Sequence, residues 1–133
     1  MQPKPAVAES WDASSDLTKW TFKLRRGAEF HNGQTIDAEA VKWNIERIKD
    51  PKIGHAFTRS VLADVERVTV DDKHTVQFHL KEPNAALDIN LIYYPVNLMS
   101  PGAVDTADTH PVNCGPFKFK SWTRGSNIEL VRN

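Results

Sequence analysis

A second cysteine is the first thing this chain lacks. Cys114 stands alone among 133 residues, so no internal disulfide and no cysteine-based zinc cluster can form. A lone cysteine of this kind reads as a small buried residue before it reads as a reactive thiol. Long apolar runs are missing too, and nothing approaches the roughly 20 residues needed to cross a bilayer as a helix. Excess charge of one sign is absent: Lys plus Arg and Asp plus Glu number 17 each. Without a net positive field there is no broad attraction to nucleic acid or acidic lipid, and neither is expected as a direct partner. The six glycines never fall at the G-x-x-x-x-G-K or G-x-G-x-x-G spacing that cradles phosphate, which argues against nucleotides. Internal repeats, low-complexity tracts and like-charge tails are also missing.

What is present fits one domain, since a chain of this length buries roughly two-thirds of its unfolded surface. Trp20, Phe22 and Leu24 alternate with Thr21, Lys23 and Arg25, the period-2 pattern of a strand with one wet face. Gly27 and Asn32-Gly33 then break the run at two turns that favour positive φ. A helix follows over 38–50. Asp37 supplies the N-cap oxygen, Ile36 and Val41 are spaced as a hydrophobic staple, and Val41, Ile45 and Ile48 form the apolar stripe. Pro51 ends it, because the residue before proline is pushed out of the helical region.

Ahead of this unit, residues 1–10 are proline-rich and extended, Trp11 is the first anchor, and Asp12 to Asp16 reads as a polar turn. Behind it, 56–62 has the spacing of a short helix. Val68 and Val70, then Val76, Phe78 and Leu80, alternate on either side of Asp72-Lys73 as an antiparallel hairpin. Pro83-Asn84 can open a helix through Ala86, Leu87, Leu91 and Ile92, ending before Pro95. Phe117 to Trp122 and Asn127 to Val131 make a closing hairpin. The fold class is therefore α+β: a mostly antiparallel sheet of about five or six strands built from hairpins, with one long and one or two short covering helices.

Catalytic chemistry finds little to stand on. The five histidines, His31, His55, His74, His79 and His110, have neither helical pairing nor clustered spacing for one metal ion, so no metal is expected. His31 is accounted for by a bond to local backbone. Ser10, Ser60 and Ser100 lack a nucleophile elbow, and Asp37, Asp71, Asp72 and Glu39 serve as cap, turn and helix-start residues. The chain is not expected to be an enzyme, and no cofactor is implied.

The run S-x-D-x-x-x-W-T-F-x-L-R-x-G-x-x-F-H-N-G from Ser14 to Gly33 carries a resemblance. So do A-E-x-V and E-R in the helix, V-x-x-V-x-x-x-D-x-x-T-V-x-F-x-L-x-x-P from Val65 to Pro83, and S-P-x-A-V from Ser100. Together they resemble the family 5 extracellular solute-binding proteins, the peptide, oligopeptide, glutathione and nickel receptors of bacterial ABC importers. Asn113-Cys114-Gly115-Pro116-Phe117 stands where that family carries Gly-Thr-Gly-Pro and an aromatic residue; asparagine tolerates positive φ, so the turn can survive.

The resemblance implies that residues 1–133 are one α+β subdomain of the first lobe of a larger two-lobed receptor, flanking the ligand cleft. Family proteins are periplasmic or anchored at the cell envelope, whereas Met1-Gln-Pro-Lys-Pro has no apolar leader, so a segment cut from a longer chain is expected. Partners would be a peptide-like solute and an ABC permease, with membrane contact only indirect. Residues that approach ligand in relatives map to Gly54–Phe57 and Tyr93–Asn97, which makes Phe57, Tyr94 and Asn97 the cleft-edge candidates, with His55 and Arg59 placed to steer an anion. On composition alone Phe57 is a core residue beside Val61 and Leu62. A stand-alone protein-interaction module that reuses the same fold is the competing reading, and an exposed apolar patch would favour it.

Overall fold

The computed structural model describes residues 3–92 and 96–133. Its centre is a four-stranded antiparallel sheet in the order β1-β2-β4-β3, made of β1 (Ala8–Ala13), β2 (Lys19–Leu24), β3 (Val65–Asp72) and β4 (Thr75–Leu80). Trp20, Phe22 and Leu24 all fall on the buried face, and β2 pairs with β4 through Trp20–Phe78 and Phe22–Val76. That non-local pairing joins two local hairpins into one sheet. Phe22 meets Phe78 edge to face at 5.2 Å between centroids, an arrangement that brings a positive ring edge to a negative ring face.

α1 (Ala38–Lys49) lies across this face with Val41, Ile45 and Ile48 buried. Its start follows the expected cap: Asp37 Oδ1 accepts from Ala40 N at 2.9 Å. Asp50, before Pro51, leaves the helix at ψ 120°. The turns before the helix place Gly27 at φ 74° and Gly33 at φ 81°, a region costly for other residues. Lys49 at the helix end donates to the carbonyls of Val65 and Glu66, where a register shift in β3 interrupts the sheet ladder. Burial lowers the Lys49 pKa, and the Lys81 charge adds to the effect.

α2 (Ala56–Val61) and α3 (Leu87–Leu91) are short, and α3 covers less than the expected run from Pro83 to Ile92. Leu87 is buried, whereas Ile92 is exposed. A 3-10 helix spans Pro101–Thr106.

Several expectations change. Residues 8–13 are a true edge strand, so the turn begins at Ser14 instead of Asp12, with Leu17 at φ 58°. In this turn Asp16 accepts from Ser14 Oγ, Thr18 N and Thr18 Oγ1, which lowers its pKa to about 2. Instead of one sheet, the six strands among the described residues divide into four and two: β5 (Phe117–Thr123) and β6 (Asn127–Arg132) form a separate ribbon. Asn113 does not adopt positive φ; it makes an Asx turn, its Oδ1 accepting from Gly115 N at 3.0 Å. His31 does not bond locally, because its Nε2 reaches Gly115 O at 2.8 Å across 84 residues. With a carbonyl as partner, Nε2 must be the protonated nitrogen.

The ribbon also corrects the simple alternation read from Phe117 to Trp122, since Phe119 and Trp122 differ in parity. A bulge between Phe119 and Ser121 resets the register, pairing Phe119 with Leu130 and Trp122 with Ile128. Phe117, Trp122, Ile128 and Leu130 are each 45–59% exposed. The bulge therefore gathers them on one largely exposed apolar face with Phe119, whose ring His110 meets edge to face at 4.8 Å, while Lys120 bridges Glu129 at 2.8 Å.

Candidate functional site

The sequence-predicted positions fall into two groups. The first sits on the link between α1 and α2. Asp50 organises it by accepting from Lys52 N through its side chain and from Ile53 N and Gly54 N through its carbonyl. Gly54 passes so close to α1 that a Cβ there would stand 1.8 Å from Ile48 O. His55 is the N-cap of α2, its Nδ1 accepting from Phe57 N at 3.3 Å, which makes this ring a structural element of the tip. Phe57 is 46% exposed, so the core reading from composition does not hold: Thr58 and Leu62 are the buried residues here. Arg59 is half-buried, and its Nε has no hydrogen-bond partner. Exposed Ile53 extends the apolar surface of the tip.

The second group lies beyond α3. Tyr94 is outside the described residues. Asn97 is exposed and stands on the wall of a crevice of about 310 Å³. Trp11, Phe22, Val41, Leu91 and Cys114 also line it, and none of His55, Phe57 and Arg59 does. Asp88, at the same crevice, accepts from Trp11 Nε1 at 3.3 Å. Burial pushes the Cys114 thiol pKa up, so this group stays protonated at neutral pH.

Sequence reasoning missed what holds Met99 and Ser100, just after Asn97. Asn44, 2% exposed on the buried side of α1, bonds both backbone polar groups of Met99. Ser100, fully buried, donates to Gln34 Oε1 at 2.6 Å and accepts from Asn32 Nδ2 at 2.8 Å. A polar residue inside an apolar helical stripe was the available signal for Asn44.

Among the described residues no three His, Cys, Asp or Glu side chains come together to hold a metal ion. None of the described helices is long and apolar enough to cross a membrane.

Comparison with known proteins decides the family. The model of the bacterial extracellular solute-binding proteins, family 5 Middle, matches residues 2–133. The chain belongs to this family. It is 35% identical to the probable D,D-dipeptide-binding periplasmic protein DdpA of Escherichia coli (strain K12), over 96% of this chain and 26% of that protein. The glutathione-binding protein GsiB of Shigella boydii serotype 4 (strain Sb227) is 33% identical over 99% of this chain and 26% of its own length. Among solved structures, DppA from Helicobacter pylori in complex with peptide STSA superposes with a TM-score of 0.84 at 27% identity, covering 98% of this chain and 30% of that one. This family 5 chain thus spans about a quarter of the length of the curated relatives it matches. Those relatives are binding proteins, not enzymes, and DdpA is named as periplasmic.

Proposed function

We propose that residues 1–133 are one subdomain of a larger two-lobed receptor that captures a peptide-like solute in the periplasm or cell envelope and delivers it to an ABC permease. The observation that carries this reading is the family match over residues 2–133 in a chain that spans only a quarter of its relatives. The ligands for which these relatives are named, a D,D-dipeptide, glutathione and the peptide STSA, support a peptide-like solute. The subdomain flanks the cleft, with Phe57 and Asn97 at its edge and His55 and Arg59 favouring an anionic group; Tyr94, the remaining candidate for solute contact, lies outside the described residues. It performs no catalysis and needs no cofactor. Contact with the membrane is indirect, through the permease. Two lobes hinge shut on the solute and this subdomain moves with one of them.

A single cleft wall leaves most of a ligand in water, so the 133-residue chain alone binds poorly. Isothermal titration of this chain with di- and oligopeptides, glutathione and nickel is expected to show no micromolar binding; micromolar affinity overturns the reading. A second reading, a free-standing interaction module, draws on the largely exposed apolar face of the β5–β6 ribbon. In a receptor that face meets further polypeptide. A reading frame that stops at Asn133 favours the module, and one that continues favours the receptor.

A further inference from the structure

Asn44 is the polar exception among the buried positions of α1, whose other members are Ala38, Ala40, Val41, Ile45 and Ile48. Leucine at this position would bury more apolar surface and favour the helix more strongly. A buried carboxamide is tolerated only when its donors and acceptor are engaged. Here Nδ2 donates to Ala40 O at 2.8 Å and to Met99 O at 2.9 Å, while Oδ1 accepts from Met99 N at 2.9 Å. Bonding the N–H and the C=O of a single residue is what a neighbouring strand does. The side chain of α1 thereby replaces a missing strand for a segment that has none.

The segment needs such a partner because residues 97–100 belong to no helix or strand. The next residue is held by a separate set of bonds: Ser100 N donates to Val112 O at 2.9 Å, and its hydroxyl is shared between Gln34 and Asn32. Gly102 N donates to the same Gln34 oxygen at 3.1 Å. Asn97 lies two residues upstream of this double fastening, exposed at the crevice wall.

We propose that Asn44 is a positioning residue for solute binding: by gripping both backbone polar groups of Met99 from inside the core, it sets where Asn97 stands at the cleft edge. The inference rests on the receptor reading above for the role of Asn97, and on geometry alone for the grip. An Asn44→Leu side chain keeps the branched shape, with somewhat more bulk, and removes the grip. Asn44→Asp keeps an acceptor for Met99 N–H and loses the donor.

Two measurements separate the inference from the reading beneath it. Hydrogen exchange of the 133-residue chain, wild type against Asn44→Leu, is expected to show the Met99 amide exchanging at least about tenfold faster. Exchange at the Asn97 amide rises with it, the β2 and β4 amides keep their protection, and Asn44→Asp falls between the two. Equal loss at every amide, or none at Met99, overturns the grip. The second measurement uses the receptor's complete reading frame, titrated with glutathione and with the dipeptide Ala-Ala. Asn97→Ala and Asn44→Leu each weaken whichever probe binds by about tenfold, and the double variant loses no more than the larger single loss. Full additivity overturns action through Asn97. Where Asn97→Ala alone has no effect, the cleft-edge assignment fails and the functional half of the inference with it, while the exchange result still stands or falls separately.

Discussion

Replacing Gly54 with alanine puts the geometry of the α1–α2 tip to a direct test. The added Cβ would meet the backbone of Ile48 at 1.8 Å from its oxygen and 2.7 Å from its carbonyl carbon, neither of which can rotate away. Ordinary contact needs about 3.5 Å, so the tip must retreat by roughly 1.7 Å. That retreat breaks the 2.7 Å bond from Gly54 N to Asp50 O. Overpacking costs about 1–3 kcal/mol and the lost bond about 1 kcal/mol, for a total of about 2–4 kcal/mol. In a domain of this size the melting temperature should fall by about 10 °C.

Gly27→Ala is the matched control. Nothing lies within 4 Å of its added Cβ, and only the backbone strain at φ 74° remains, worth about 1–2 kcal/mol. Thermal unfolding by circular dichroism ranks the two variants, and amide chemical shifts locate the change. Displaced shifts over residues 50–59 are expected for Gly54→Ala and not for Gly27→Ala. If Gly54→Ala is no less stable than Gly27→Ala, the close passage of the tip over α1 is wrong, and with it the placement of Phe57.

Asp37→Ala should cost about 1 kcal/mol in urea titrations by freeing Ala40 N, whereas Asp37→Asn should cost little, since asparagine also caps. His79 donates to or accepts from Thr69 Oγ1 at 2.9 Å, and burial, with Arg67 and Lys19, holds its pKa below 6.5. Its folded form binds the proton less readily than the unfolded chain, so its contribution is complete above pH 6.5 and is lost as pH falls through the window below. Urea titrations at pH 7.5 and 5.5 should therefore show a smaller acid loss for His79→Gln than for the wild type. Trp122→Lys and Ile128→Lys on the exposed ribbon face should leave the melting temperature within about 2 °C and reduce binding of an apolar dye. A large drop in melting temperature would mean that this face is covered.

The chain pattern made the central layer readable because each signal there is local. Trp20, Phe22 and Leu24 needed only period-2 alternation, and Asp37, Val41, Ile45 and Ile48 needed only a cap and a helical stripe; all occupy the expected faces. The family was readable as well, since its signature is a run of residues at fixed spacing. Phe57 was less so: apolar character says that a side chain benefits from burial, but not whether its helix turns it inward.

By itself, then, the sequence determined β2, α1 and the two later hairpins, the family, and that a single cysteine allows no internal disulfide, all of which depend on neighbours in the chain. Tertiary structure alone decided that β5 and β6 separate from the four-stranded sheet, that a bulge brings Trp122 into line with Phe119, and that His31 reaches Gly115. It also decided that Asn44 closes on Met99. These outcomes share one physical cause. Each is a choice of partner between groups remote along the chain, and such a choice is made only once packing has brought them within hydrogen-bonding or van der Waals reach.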